Sequence, residues 1–210
     1  MKIAIIGATG LIGNKLLNNL MTNDSKLEIT TITRRKTHYG HNQIIYPDLS
    51  PQTLKNLKLE ADHFICCLGT TIKQAGTKEN FRKVDFDLVV EFSKLAKRSG
   101  AKSIHVVSSK GANPNSLIFY NRVKGEMETE LKNTSIPSIY IYRPSLLIGE
   151  REEKRIGEKL SIHFYHSIKN ILPISIKKQI GSEVDSIVKK MAENILGHQA
   201  GIHIIESSEF

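Results

Sequence analysis

The apolar positions of this 210-residue chain fall into two recurring patterns. Short runs apolar on successive residues, and therefore on both faces of an extended chain, occur at Lys2–Ile6, Glu28–Thr33, Gln43–Tyr46, His63–Leu68, Ser103–Ser108, Ser138–Arg143 and Ile202–Ile205. Amphipathic stretches separate most of them, notably Leu11–Met21, Asn80–Ser99, Leu117–Lys132 and Glu183–Leu196. Strands buried on both faces and alternating with helices predict an α/β chain, a doubly wound and mainly parallel sheet with helices on both faces. In the last helix, Val184, Ile187, Val188, Met191, Ala192 and Ile195 recur at helical spacing. Ser182 with Asp185 reads as its start signal and Gly197 as its stop. There is no internal repeat, low-complexity segment or Pro/Gly/Ser linker. One domain over residues 1–210 is expected, with a small substrate-side portion from about residue 145.

Composition narrows the class. Apolar residues make up 40% and charged residues 24%, ordinary proportions for a globular domain. The two cysteines, Cys66 and Cys67, are adjacent inside an apolar run and lack metal-ligand spacing. They are expected to be buried, reduced strand residues, with no disulfide framework and no metal. The first strand begins at Lys2, which leaves no room for a signal peptide, so a cytoplasmic location is expected. No apolar stretch approaches the roughly 18–20 residues that cross a bilayer, and no membrane association is expected. The formal charge of +9 raises nucleic acid as a partner. The basic residues are scattered along polar helix faces, however, without a sustained tract or interleaved aromatics. They predict a solvated surface with room for an anionic ligand, and no nucleic acid.

The chemistry begins at Ile6-Gly7-Ala8-Thr9-Gly10-Leu11-Ile12-Gly13. Three glycines spaced three apart follow the first strand and open the first helix, the context of a Rossmann-type dinucleotide loop. Gly7 permits the tight turn, Gly10 lets backbone approach a pyrophosphate, and Gly13 lets the helix pack close to the sheet. The phosphate would meet the free N–H groups at the helix start. The second strand ends in Thr33-Arg34-Arg35-Lys36, without the carboxylate that bonds a ribose 2′-hydroxyl. A guanidinium there grips a 2′-phosphate by charge-assisted hydrogen bonds, so NADPH is the expected cofactor.

Two Tyr-x-x-x-Lys matches exist, Tyr120–Lys124 and Tyr165–Lys169. Only the first lies on the helix following a strand that ends in Val107-Ser108-Ser109, and strand ends of a doubly wound sheet are where ligands bind. Four-residue spacing stacks Tyr120 and Lys124 on one helix face, where an ammonium favours the phenolate of its neighbour. A serine could then hold a carbonyl oxygen while Tyr120 moves its proton. Tyr120 also belongs to an apolar stripe with Val123, Met127 and Leu131, so a core tyrosine beside a solvated lysine is the plain alternative. Gly125, costing a helix about 1 kcal/mol relative to Ala, suggests close packing against another helix or subunit.

Together the glycine loop, Ser109/Tyr120/Lys124 and Arg143-Pro144 resemble an atypical short-chain dehydrogenase/reductase. Cys66-Cys67-Leu68-Gly69-Thr70-Thr71, Val84-Asp85-Phe86-Asp87, Ser108-Ser109-Lys110-Gly111-Ala112 and Val123-Lys124-Gly125-Glu126 resemble, more narrowly, the Tat-interacting-protein oxidoreductase family. The likeness runs from about Lys2 to Glu158. It implies NADPH as cofactor and Ser109, Tyr120 and Lys124 as the catalytic set, Ser109 lying 11 residues before Tyr120. It also implies that Leu68-Gly69-Thr70 lies along the cofactor and that Arg143-Pro144 flanks its nicotinamide end. Cofactor contacts are thus expected from Gly7, Thr9, Gly10, Leu11, Ile12, Gly13, Arg34, Arg35, Leu68, Gly69, Thr70, Tyr120, Lys124, Arg143 and Pro144. The leading expectation is a reductase or dehydrogenase acting on a small carbonyl or alcohol. The alternative is an NADPH-binding sensor or scaffold that acts on a protein partner without turnover.

Overall fold

A computed structural model describes residues 1–23, 26–37, 42–145 and 174–210. The strands are β1 (Lys2–Ile6), β2 (Glu28–Thr33), β3 (Asn42–Ile45), β4 (His63–Cys66), β5 (Ser103–Val107), β6 (Ser138–Arg143) and β7 (Gly201–Glu206). They form one sheet in the order β3-β2-β1-β4-β5-β6-β7, with every pairing parallel. The helices are α1 (Leu11–Asn23), α2 (Pro51–Asn56), α3 (Ile72–Ala75), α4 (Lys78–Arg82), α5 (Leu88–Arg98), α6 (Phe119–Lys132) and α7 (Ile174–Leu196).

The run of Ile and Val in the central strands has the consequence expected of it. In β4 and β5 every residue is buried, which is possible only with helices on both faces. On one face Ile6, Phe64, Ile104 and Ile139 pack under Leu54 of α2, Phe92 of α5 and Met127 of α6. On the other, Ile5, Ile65 and Val107 pack under Leu16 and Leu17 of α1 and Ile187 and Met191 of α7. The apolar stripe along the last helix is its core face: Val184, Ile187, Val188, Met191 and Ile195 are all buried.

Two local expectations are revised. Helix α7 begins at Ile174 and runs through Ser182, so the start signal there is overridden; Gly197 does lie past its end, its N–H bonding the Glu193 carbonyl at 2.9 Å. The predicted helix Asn80–Ser99 is a continuous helical run from Lys78 to Arg98, interrupted by a π-helical turn at Lys83–Asp87. Residues 146–173, part of the expected substrate-side portion and including Tyr165–Lys169, lie outside the described residues. The elements C-terminal to them, α7 and β7, belong to the main sheet and its covering layer.

The chain leaves β1 in one direction for β2 and β3 and returns to its other side for β4. The carboxyl ends of β1 and β4 therefore form a topological switch point, where open α/β sheets bind ligands. Near the opposite ends, a polar ladder replaces the apolar core under α7. His105, Tyr140 and His203 stand in register on β5, β6 and β7 and stack at centroid distances of 4.6 and 4.5 Å. Hydrogen-bond contacts run from His63 Nδ1 to Ser103 Oγ (2.7 Å), on to His105 Nε2 (2.9 Å), and from His105 Nδ1 to Tyr142 Oη (3.0 Å).

Candidate functional site

Each glycine of the first loop has a distinct structural reason. Gly7 has φ +82°, and a Cβ there would lie 2.5 Å from the Cys67 carbonyl carbon, because Cys67 leaves β4 to cross over it. The Cys67 N–H donates to the Ile6 carbonyl at 2.9 Å, fastening the two strand ends together. A Cβ on Gly13 would lie 2.3 Å from the Gly7 carbonyl oxygen, so α1 sits directly on the turn. Gly10 is different: a Cβ there would meet nothing closer than 3.3 Å, and the residue is exposed. The protein's own packing demands Gly7 and Gly13 far more than Gly10. Thr9 and Leu11 are exposed, and Ile12 leans on the core with its side chain. The first N–H groups of α1 lack intrahelical partners by construction, and they open on this switch point.

Arg34, Arg35 and Lys36 are exposed beyond the end of β2, one strand away from the loop. The Thr33 hydroxyl donates to the Arg35 carbonyl at 2.9 Å, shaping the turn that carries them.

The catalytic candidates are assembled by α6 and the loop after β5. The loop is fastened to α6: Asn113 N–H donates to the Asn121 carbonyl at 3.0 Å, the Arg122 guanidinium donates to the Ser116 carbonyl at 3.0 Å, and Gly125 faces the Asn113–Pro114 backbone, where a Cβ would come within 2.2 Å. Gly125 is thus a close-packing residue, against a loop of its own chain. Ser108 and Ser109 are both fully buried but differ in use. Ser108 Oγ donates to Glu128 Oε1 at 2.6 Å, whereas Ser109 Oγ has no hydrogen-bond partner among the described residues. A buried hydroxyl without a partner costs about 1–3 kcal/mol, a cost a bound ligand would relieve.

Tyr120 is half-buried with its ring 5.4 Å from that of Phe81, centroid to centroid, and its hydroxyl oxygen is out of solvent. Lys124 is not a solvated neighbour: it is 1% exposed, with Nζ 2.7 Å from Asp85 Oδ1. Burial alone would pull the ammonium's pKa down. The Asp85 carboxylate and then Tyr120 more than offset this, holding Lys124 charged above the usual lysine range. Asp85 Oδ2 in turn accepts the N–H of Thr70 at 2.9 Å, so one carboxylate joins the loop Leu68-Gly69-Thr70 to the Tyr–Lys helix. Asp85 lies in the π-helical turn, the kind of irregularity that recurs at functional sites. In the sequence it stands out only as part of the motif Val84-Asp85-Phe86-Asp87, which assigns it no role.

Arg143 and Pro144 stand at the end of β6. The Pro144 carbonyl accepts from Lys110 N–H at 3.0 Å. The guanidinium of Arg143 bonds Glu128 at 3.0 and 2.6 Å and Glu206 at 2.8 Å, so its charge is already balanced inside the protein. Cys66 and Cys67 are poor nucleophiles, since burial pushes both thiols far above their ordinary range, Cys66 to about 12. Among the described residues no group of three or more His, Cys, Asp or Glu could hold a metal ion, and no helix is long and apolar enough to cross a membrane.

Among the described residues, seven parallel strands in this order with a glycine turn after the first define a Rossmann-type fold. The chain belongs to the HIM1 family, which matches residues 3–177. It is 31% identical over 207 residues to Protein HTATIP2 of Rattus norvegicus, covering 95% of this chain and 83% of that one. It is 34% identical over 196 residues to Protein fmp52, mitochondrial, of Emericella nidulans, covering 89% and 84%. Among solved structures, MoeE5 in complex with UDP-glucuronic acid and NAD superposes with a TM-score of 0.69 at 13% identity, covering 98% of this chain and 76% of that one. A short-chain dehydrogenase/reductase superfamily protein from Agrobacterium tumefaciens with bound NAD gives 0.67 at 13% identity, covering 98% and 77%. At such identities the likeness speaks for the fold.

The relatives overturn the expectation of a cytoplasmic location. Fungal proteins 32–36% identical to this chain are named as mitochondrial. That expectation considers only a secretory leader, which is a different signal from an organelle address.

Proposed function

We propose that this chain is an NADPH-dependent oxidoreductase of the short-chain dehydrogenase/reductase type, acting on a small carbonyl or alcohol. The observation that carries the reading is a chain of contacts from the glycine turn to α6: Gly7 packs on Cys67 and Leu68, the Thr70 N–H meets Asp85, and Asp85 meets the buried Lys124 one turn from Tyr120, while the loop after β5 carries the unpartnered hydroxyl of Ser109. When bound, the nicotinamide supplies or accepts the hydride. The chain's own groups do the rest. Main-chain N–H groups of Gly10–Gly13 would hold the pyrophosphate, leaving room over Gly10, while Leu68–Thr70 would flank the cofactor from β4. Arg34 and Arg35, exposed and without a neighbouring carboxylate in the turn, favour a ribose 2′-phosphate over a free hydroxyl. Ser109 Oγ would hold the substrate oxygen, Tyr120 Oη would exchange a proton with it, and Lys124, held by Asp85, would support the phenol from one turn along α6. Solved neighbours that carry NAD in the same fold support a nicotinamide cofactor.

The test is NADPH binding followed by NADPH consumption across a panel of aldehydes and ketones. Tyr120→Phe is expected to bind NADPH as the wild type does and to lose about 100-fold or more in turnover. Undiminished turnover in that variant would rule out the acid–base role. Tight NADPH binding with no consumption across the panel would favour a cofactor-sensing regulator with a protein partner.

A further inference from the structure

Asp85 is where three parts of the site meet. It is fully buried, and its two oxygens face different elements: Oδ1 faces Lys124 Nζ on α6 at 2.7 Å, and Oδ2 accepts the Thr70 N–H at 2.9 Å. The π-helical turn Lys83–Asp87 carries it, inside a run that is otherwise α-helical. In a low-dielectric interior either charge alone would be costly to bury, so the two side chains are each other's natural partners. The other titratable groups acting on the ammonium are Tyr120, one turn earlier on α6, and the Cys66 thiol at the end of β4. Burial keeps that thiol neutral. Glu128, one turn further along α6, is bound to Arg143 and Ser108.

This changes the electrostatics of the Tyr–Lys pair. An isolated ammonium beside a phenol favours the phenolate. Here the ammonium is already matched by a carboxylate, so the net field on Tyr120 is much weaker.

We propose that Asp85 is the positioning residue of this site. It holds Lys124 and the Leu68–Thr70 loop on one carboxylate, and by balancing the Lys124 charge it keeps Tyr120 a protonated hydrogen donor, which biases the site toward carbonyl reduction. The inference rests on the oxidoreductase reading above. In that direction the proton leaves Tyr120 Oη for the substrate oxygen while the carbonyl carbon accepts the cofactor's hydride. The C=O π bond is replaced by C–H and O–H bonds, the nicotinamide is oxidised, and bulk water returns the proton to Tyr120.

The experiment is an NMR titration of the cofactor-free protein labelled with carbon-13 at tyrosine and lysine side chains. Tyr120→Phe and Lys124→Arg assign the two signals. In the wild type both groups are expected to stay protonated through neutral and mildly alkaline pH. Asp85→Asn keeps the size of the side chain and its acceptor for Thr70. In that variant the Tyr120–Lys124 pair should release its first proton about one pH unit or more lower, and Asp85→Glu should restore the wild-type curve. A pair that titrates in Asp85→Asn as it does in the wild type overturns the proposal. Should Asp85→Asn fail to fold, the double variant Asp85→Asn/Lys124→Met removes both charges together. Its Tyr120 should then titrate near the wild-type pH, and a clearly lower value overturns the proposal. Failure of the wild type to bind or oxidise NADPH would instead sink the oxidoreductase reading and leave these titrations unchanged.

Discussion

Replacing each loop glycine by alanine separates what the fold requires from what a ligand requires. At Gly7 the φ of +82° and the Cys67 carbonyl carbon 2.5 Å from a Cβ act together. At Gly13 the obstacle is the Gly7 carbonyl oxygen at 2.3 Å. Both obstacles are backbone next to the central strands, without a flexible side-chain end to swing away. A left-handed residue bearing a Cβ costs about 1–2 kcal/mol. Forcing a methyl into packed interior adds about 1–3 kcal/mol. Gly7→Ala should therefore destabilise by about 2–5 kcal/mol and Gly13→Ala by about 1–3 kcal/mol. At Gly10 the nearest atoms to a Cβ are at 3.3 and 3.9 Å, and Asn14 N–H bonds the Gly10 carbonyl at 2.8 Å, as at a helix start. Alanine there should cost at most about 1 kcal/mol. That corresponds to a Tm shift of roughly 2–4 °C for a chain of this size. Yet its methyl would stand where the pyrophosphate is proposed to approach, so NADPH affinity should fall by about tenfold or more. Urea unfolding followed by far-ultraviolet circular dichroism suits a chain without tryptophan, and cofactor fluorescence reads binding. A Gly10→Ala protein that binds NADPH as tightly as the wild type refutes the reasoning.

Acid should destabilise the fold through the ladder under α7. Burial, then His198, lowers the pKa of His63 to about 4, and burial holds His105 well below its ordinary value. Unfolded histidines take up protons near pH 6.5, so the unfolded chain binds more protons between about pH 6.5 and 4, and stability falls with pH across that window. His63 alone accounts for about 3 kcal/mol over the window, about 2 of it already lost at about pH 5. Urea midpoints at about pH 7 and about pH 5 read this loss, and a constant midpoint would contradict it. Asp62 adds a loss only at lower pH, because its hydrogen bonds from Lys2 and Lys102 hold it at about 2. Reversing charge at Arg34 and Arg35 together should weaken NADPH by about tenfold or more and leave NADH nearly unaffected, in direct binding titrations. Ser108→Ala, which strips a donor from buried Glu128, should cost about 1–3 kcal/mol of stability. Ser109→Ala should cost little stability and lower turnover, as unfolding and NADPH-consumption assays on the two variants would show side by side.

Much of this architecture is legible in one dimension. Apolar runs such as Ile3–Ile6 and Phe64–Cys66 announce strands buried on both faces, and the stripe Val184–Ile195 announces a core helix. The glycine spacing likewise announces a tight turn and a helix packed close on it. Less legible are features that depend on who stands across the gap. Ser182 reads as a helix start, but the helix passes through it from Ile174. Lys124 reads equally well as a solvated lysine, and Asp85, 2.7 Å away, decides otherwise. Arg143 offers a cation at the end of its strand, yet Glu128 and Glu206 hold it from α6 and β7.

The difference has a physical origin. Strand, turn and helix preferences arise from the period of apolar residues and from backbone sterics, which act between neighbours along the chain and are written in it. Which charge meets which carboxylate, which of two adjacent serines keeps its hydroxyl free, and whether a tyrosine faces an ammonium that is balanced or bare depend on distant segments brought together by the sheet. The sequence alone determined the parallel α/β frame and the glycine loop at its switch point. Only the tertiary structure decided that Asp85, carried on a π-helical turn, stands between Thr70 and Lys124, because only there does desolvation make one carboxylate's choice of partner decisive.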